Sequence, residues 1–122
     1  MKRFTKRTWG KTNNKYGAKS TRCESDHYHP SMGEAAYCNK LLLMKKGKAI
    51  KEYEYEKRYA LEVNGKTIGH HKPDFTVHNT DGSISVHEFK GVMTRDWMLR
   101  KKLFEAIYTD IPYRVVGNKD LI

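Results

Sequence analysis

Pro73-Asp74-Phe75-Thr76-Val77-His78, then Asp81-Gly82, then Ile84-Ser85-Val86-His87-Glu88-Phe89-Lys90, is the stretch that decides how this chain folds. Asp-Gly between two runs rich in β-branched and aromatic residues signals a hairpin, so the runs are expected as neighbouring strands. Side chains two apart on a strand leave the same face, which puts Glu88 beside Lys90 and sends Phe89 into the opposite layer. Asp74 follows a proline, the mark of an edge, bend or bulge. A turn role is open to it. Its neighbours Phe75 and Val77 favour a buried strand, where a carboxylate wants a metal or a partner.

Upstream, Ile50 to Val63 is rich in tyrosine and partly alternates with Glu and Lys, which reads as one strand of a half-exposed hairpin. Asn64-Gly65 is its turn, and Ile68 to His78 is the next strand. Before it, Ser31-Met32-Gly33-Glu34 has the form of a capping box. Ala35, Ala36, Tyr37, Leu41, Leu42, Leu43 and Met44 then supply a helix over about 31 to 46, stopped by Gly47. Glu34 has two readings, as the reciprocal cap or as an acid of a functional site.

Downstream, Thr94 or Arg95 starts a helix running to about Tyr108, with Leu99, Leu103 and Ile107 as a core stripe. Trp97, Lys101, Phe104 and Tyr108 form a second stripe, which would turn Lys101 toward the site and Lys102 toward a backbone phosphate. The plain alternative for both lysines is a solvated face. Pro112 ends the helix and Tyr113 to Val116 makes a last strand. The order is α-β-β-β-α-β, an α/β fold with a central mixed sheet flanked by helices. A chain of 122 residues holds one such domain, expected at 31 to 122.

The net charge of +10 is unevenly spread. Residues 1 to 22 hold Lys2, Arg3, Lys6, Arg7, Lys11, Lys15, Lys19 and Arg22 and no acid, leaving 24 − 8 = 16 basic against 14 acidic side chains elsewhere. Residues 1 to 30 therefore read as a basic arm and loop that pairs with phosphates by releasing counterions, with Lys15 and Lys19 among the binding residues. A solubility tail is the bland reading. No window approaches the roughly 18 apolar residues of a membrane span, and the start lacks the apolar stretch of a secretory signal. A cytosolic compartment is expected, with Cys23 and Cys38 as reduced thiols.

Cys23 and Cys38 together with His27 and His29 invite a zinc reading. Their spacing is not that of a standard finger and Cys38 falls inside the expected helix, so reduced cysteines and loop histidines are preferred. His70, His71, His78 and His87 are expected as strand-end residues, with His71 or His87 in reach of a phosphate.

Hydrolysis of a phosphodiester needs a divalent ion to activate water and neutralise the charge building on phosphorus, and hard oxygens hold magnesium. Asp74 and Glu88 can reach one ion from neighbouring strands, with the Phe89 carbonyl as a third oxygen. Lys90 beside that ion can orient the water, stabilise the transition-state charge or offset repulsion between the two acids.

Pro73-Asp74 and Glu88-Phe89-Lys90, with Glu34 on a preceding helix, resemble the PD-(D/E)xK nuclease superfamily over about residues 31 to 116. Lys15-Tyr16-Gly17-Ala18-Lys19, the Ser31-x-x-Glu34 helix start, Asp74 to Val77 and Glu88 to Gly91 look more narrowly like small phage- and prophage-encoded proteins within it. The resemblance implies a restriction-endonuclease-like core and magnesium-dependent DNA cleavage, manganese being able to substitute. Its central triad would be Asp74, Glu88 and Lys90, with Glu34 as an auxiliary acid. Archaeal Holliday junction resolvases share that constellation as homodimers, so branched or junction DNA is the implied substrate and a homodimer the implied assembly. The His/Cys-rich stretch before Ser31 departs from the pattern, which has a more ordinary turn and strand there. Tyr53, Tyr55 and Trp97 are the expected dimer interface. The rival readings are a non-catalytic nucleic-acid-binding module using the basic arm, and a structural or packaging accessory. Binding alone gives no reason to set two acids where a phosphate must approach.

Overall fold

The computed structural model describes residues 21–25 and 27–121. Along them run β1 (Thr21–Arg22), β2 (Tyr28–His29), α1 (Met32–Lys46), β3 (Ile50–Tyr55), β4 (Tyr59–Val63), β5 (Lys66–His71), β6 (Phe75–Asn79), β7 (Ile84–Phe89), α2 (Arg95–Ile107) and β8 (Tyr113–Val116), closed by a 3-10 turn at Asn118–Asp120. Four strands form the central sheet in the order β3-β6-β7-β8. β6 pairs antiparallel with both β3 and β7, while β8 returns through α2 to lie parallel to β7. This is the expected α/β architecture, a mixed sheet between helices.

Two strands expected as continuous are each broken. Ile50 to Val63 splits at Glu56, whose φ of 56° turns the chain out of the sheet. Its second half, β4, pairs only with β5, as a separate two-stranded sheet. Asn64 and Gly65 turn that hairpin with φ of 51° and 79°, the left-handed pair that a tight two-residue turn demands. Ile68 to His78 splits around Pro73, which has no N–H to give a ladder. The partner of β3 is therefore β6, and the β4–β5 hairpin is an excursion between them. The sequence marks the second break at Pro73 as an edge, bend or bulge, whereas the first, at Glu56, carries no such mark.

The sheet is covered on both faces. On one side Tyr37, Cys38 and Leu41 of α1 meet Ile50, Phe75, Val77 and Val116, with Cys23 joining from the segment after β1. On the other, Phe104 of α2 meets Tyr59, Leu61 and Val86, flanked by Leu103, Ile107, Tyr108 and Tyr113. Burying a side chain such as Phe75 or Phe104 contributes on the order of 2–3 kcal/mol. The described part of the segment read as arm and loop, from Thr21 onward, packs against the domain, with Cys23 and His29 buried.

Three packing expectations need correction. Leu99 is 60% exposed and contributes nothing to the core, because the inward stripe of α2 is Trp97, Phe104 and Tyr108 with Leu103 and Ile107. Trp97 is buried, and Tyr53 and Tyr55 pack on the α1 side of the sheet, so the chain's own interior uses the three residues assigned to a dimer interface. Ser31 Oγ accepts from Glu34 N at 3.1 Å as a helix cap should, but the Glu34 side chain does not return the bond. It turns to His29 and Tyr55 instead.

Candidate active site

The pleat of β7 sorts its side chains. Val86 enters the α2-side core, and Phe89 packs on the α1 side. Glu88 and Lys90 share the α2 side, with Lys90 Nζ 3.9 Å from Glu88 Oε2 and 5.0 Å over the Trp97 ring. Asp74 stands just before β6, opposite Glu88 when the register Phe75–His87 is extended by one pair. Phe89 N donates to Asp74 Oδ2 at 2.8 Å and ties the two strand ends together.

Burial pushes the Asp74 carboxyl up to about 9, and the negative charges of Glu34 and Glu88 push the same way against the Phe89 N–H and Lys90. Asp74 thus feels the charge of two other acids, with Lys90 as the cation that opposes them. Burial also raises the carboxyl of Glu34, opposed by its hydrogen bonds to His29 Nδ1 at 2.6 Å and Tyr55 OH at 2.9 Å. Such a carboxylate set is made of hard oxygen donors, the kind that hold magnesium.

Glu88 has a partner that sequence reasoning passed over. Tyr113 OH, on β8, donates to Glu88 Oε1 at 2.5 Å, and its oxygen lies 2.7 Å from His71 Nε2. Because the single phenol proton goes to Glu88, His71 must donate, which fixes its Nε2–H tautomer. Burial holds the His71 imidazole down to about 4, helped by Arg100 and Lys90, so it is neutral near pH 7. The relay His71–Tyr113–Glu88 fixes the orientation of that carboxylate.

Glu88 and Lys90 open into a cleft of about 440 Å³ lined also by Arg58, His70, His71, Lys72, Trp97 and Arg100. Four of these eight side chains are permanent cations and one is an acid. That balance suits an anion reaching in toward a cation held at the carboxylates. Asp74 is not part of the wall.

The profile of one family, described as Protein of unknown function (DUF1064), matches residues 13–119. The chain belongs to the DUF1064 family. No curated protein and no solved structure matches it.

In this DUF1064 chain the structure brings Asp74, Glu88, Lys90 and Glu34 into one neighbourhood but separates other candidates. Lys101 pairs with Glu105 at 2.9 Å and lies 5.0 Å over the ring of Tyr113, the partner of Glu88, so it turns toward the site as expected without lining the cleft. Lys102 lines a different hollow with Arg95, Met98 and Leu99. Lys15 and Lys19 lie outside the described residues. His87 faces the α1 side, bonded to Tyr37 OH at 2.6 Å and Ser85 Oγ at 3.1 Å, and is out of reach of a phosphate in the cleft. His78 pairs with Glu54 at 2.7 Å. Arg58, Lys72, Arg100 and Tyr113 were missed. Only Tyr113 had a signal, its place on the expected last strand, whose pairing with the strand of Glu88 the structure supplies.

Proposed function

We propose that this protein is a magnesium-dependent DNA endonuclease, hydrolysing phosphodiester bonds at Asp74, Glu88 and Lys90, with branched or junction DNA as the preferred substrate. The observation that carries the reading is the placement of Asp74, held by Phe89 N at 2.8 Å at the strand end opposite Glu88, with Lys90 3.9 Å from Glu88. Burial and two neighbouring acids lift the Asp74 carboxyl to about 9, a cost that a bound dication at the same place removes. Asp74, Glu88 and the Phe89 carbonyl would hold magnesium, which supplies Lewis-acid activation of water and charge neutralisation at phosphorus. Glu34 adds negative charge beside Asp74. Lys90 holds an ammonium where the attacked phosphate develops charge, while Arg58, Lys72 and Arg100 hold the flanking phosphates. In the net reaction water's hydroxide adds to phosphorus, one P–O ester bond breaks, and the leaving oxygen takes the proton.

The test is incubation of the full chain with supercoiled plasmid, linear duplex and a synthetic four-way junction, with and without magnesium. Nicking or resolution that requires the ion and is lost in Glu88→Gln is the expected result. Tight binding to the same DNA with no cleavage in magnesium or manganese overturns the reading in favour of a non-catalytic binding module. Equal cutting of junction and linear duplex removes the junction preference and keeps the nuclease.

A further inference from the structure

Away from the cleft, Cys23, His27, His29 and Cys38 come together where β1, β2 and α1 meet. One donor atom from each lies within 4.8 Å of the other three. The backbone builds this closely. Cys23 N donates to His27 O at 2.9 Å, folding a tight turn that sets Cys23 and His27 side by side, and β2 then carries His29 inward. Cys38 comes from the buried stripe of α1, one turn beyond Glu34. Both cysteines are buried and free of a disulfide.

A tetrahedral ion with Zn–S bonds of about 2.3 Å and Zn–N bonds of about 2.0 Å requires sulfur and nitrogen to sit about 3.5 Å apart. Cys38 Sγ and His27 Nδ1 are 3.5 Å apart. His29 supplies the second, independent observation. It is 1% exposed, its Nδ1 is bonded to Glu34, and its Nε2 has no hydrogen-bond partner. A buried imidazole nitrogen left without a partner is costly, and a metal ion is one of the few groups that answers it. The carboxylate on the far nitrogen is the usual support of a metal-bound histidine, fixing its tautomer and ring orientation.

We infer that Cys23, His27, His29 and Cys38 form a structural zinc site, closed by four protein ligands and oriented from behind by Glu34. Two thiolates and two neutral imidazoles cancel the charge of the dication, which suits a buried position. Binding releases the two thiol protons. The ion staples the β1–β2 turn to α1 and, through His29, holds the Glu34 carboxylate. The spacing C-x3-H-x-H followed by a helical cysteine differs from that of the common fingers, and the fourth ligand lies inside a helix. The site does not depend on the nuclease reading.

The chain has two cysteines in all, so thiolate–metal signals report this cluster alone. The full chain, expressed in zinc-supplemented medium and purified without chelator, should carry about one zinc per molecule by elemental analysis. Exchange with cobalt should give tetrahedral ligand-field bands and a thiolate-to-cobalt charge-transfer band, both lost in Cys38→Ser. Glu34→Gln should keep the charge-transfer band while metal affinity falls roughly 10- to 100-fold. Because Cys38→Ser risks misfolding, the deciding measurement is on the wild-type chain. A folded wild-type protein that takes up neither zinc nor cobalt, or whose two thiols react with a thiol reagent equally fast with and without stoichiometric zinc, overturns the site.

Discussion

Phe89 N and Asp74 Oδ2, 2.8 Å apart, join the end of β7 to the start of β6 by a backbone-to-carboxylate bond. The residue that sends its ring into the α1-side core therefore positions an acid of the cleft side. Asp74→Asn can keep that bond through its amide oxygen while losing the charge. Cleavage should be abolished, and DNA binding should stay intact or tighten as phosphate repulsion falls. Plasmid nicking and fluorescence-anisotropy binding on the same preparation check both halves, and near-wild-type turnover would falsify the assignment.

Lys90 is stacked over Trp97 and close to Glu88, so its ammonium is held in place on a buried indole. Lys90→Ala should lower the single-turnover cleavage rate by about 10²-fold or more, the scale of a positioned transition-state group. An unchanged rate would make Lys90 an ordinary surface residue.

Tyr113→Phe deletes one hydroxyl between Glu88 and His71 and leaves the ring packed against Phe104. The expected loss is about 10- to 100-fold in magnesium affinity or in activity, typical of groups that orient a ligating carboxylate. Magnesium titration of the rate separates the two. A chain that melts as the wild type does and needs no more magnesium for the same rate would exclude this role.

Gly33 has no room for a methyl. A Cβ built there stands 2.5 Å from two atoms of the Phe89 ring. Gly33→Ala should push that ring, cost about 1–3 kcal/mol and lower the melting temperature by several degrees. Since Phe89 N holds Asp74, cleavage should fall as well, at temperatures where the variant is still folded. Calorimetry and cleavage at 20 °C check the two effects separately.

Residues 1 to 20 carry seven cations and no acid. Deleting them leaves the packed segment from Thr21 intact, so the domain should fold, bind DNA more weakly and show a shallower salt dependence. Each lost phosphate contact is expected to reduce the slope of log affinity against log salt by about 0.9. An unchanged slope identifies the segment as a solubility tail.

Both helices were legible because their signals are local. Ser31 and Thr94 cap where they should, each accepting from the backbone N–H three residues on. The strand of Glu88 and Lys90 was legible because a strict two-residue period decides its faces. What local pattern does not carry is pairing. Nothing in Ile50 to Val63 announces a left-handed Glu56, so the chain's exit from the sheet stayed hidden, and with it the placement of Arg58 and Lys72 at the cleft. The convergence of Cys23, His27, His29 and Cys38 was visible as composition. It was set aside because the spacing is not that of a standard finger and Cys38 sits in a helix, objections from sequence that three-dimensional proximity outweighs.

The β4–β5 hairpin has one more consequence. Tyr55 and Phe75 are direct register partners, so the chain leaves the central sheet and comes back to the same rung. The nineteen residues between them, 56–74, form a detachable cassette, plugged into the α2-side core by Tyr59 and Leu61 and displaying Arg58, His70 and Lys72 to the cleft. Mutation can lengthen it, recharge it or exchange its tip at Asn64-Gly65 without moving a hydrogen bond between β3 and β6. The tip of the cassette and its exposed positions are therefore free to drift. The exceptions are Tyr59 and Leu61 in the core, His71 in the chain to Glu88, and Asp74, its last residue.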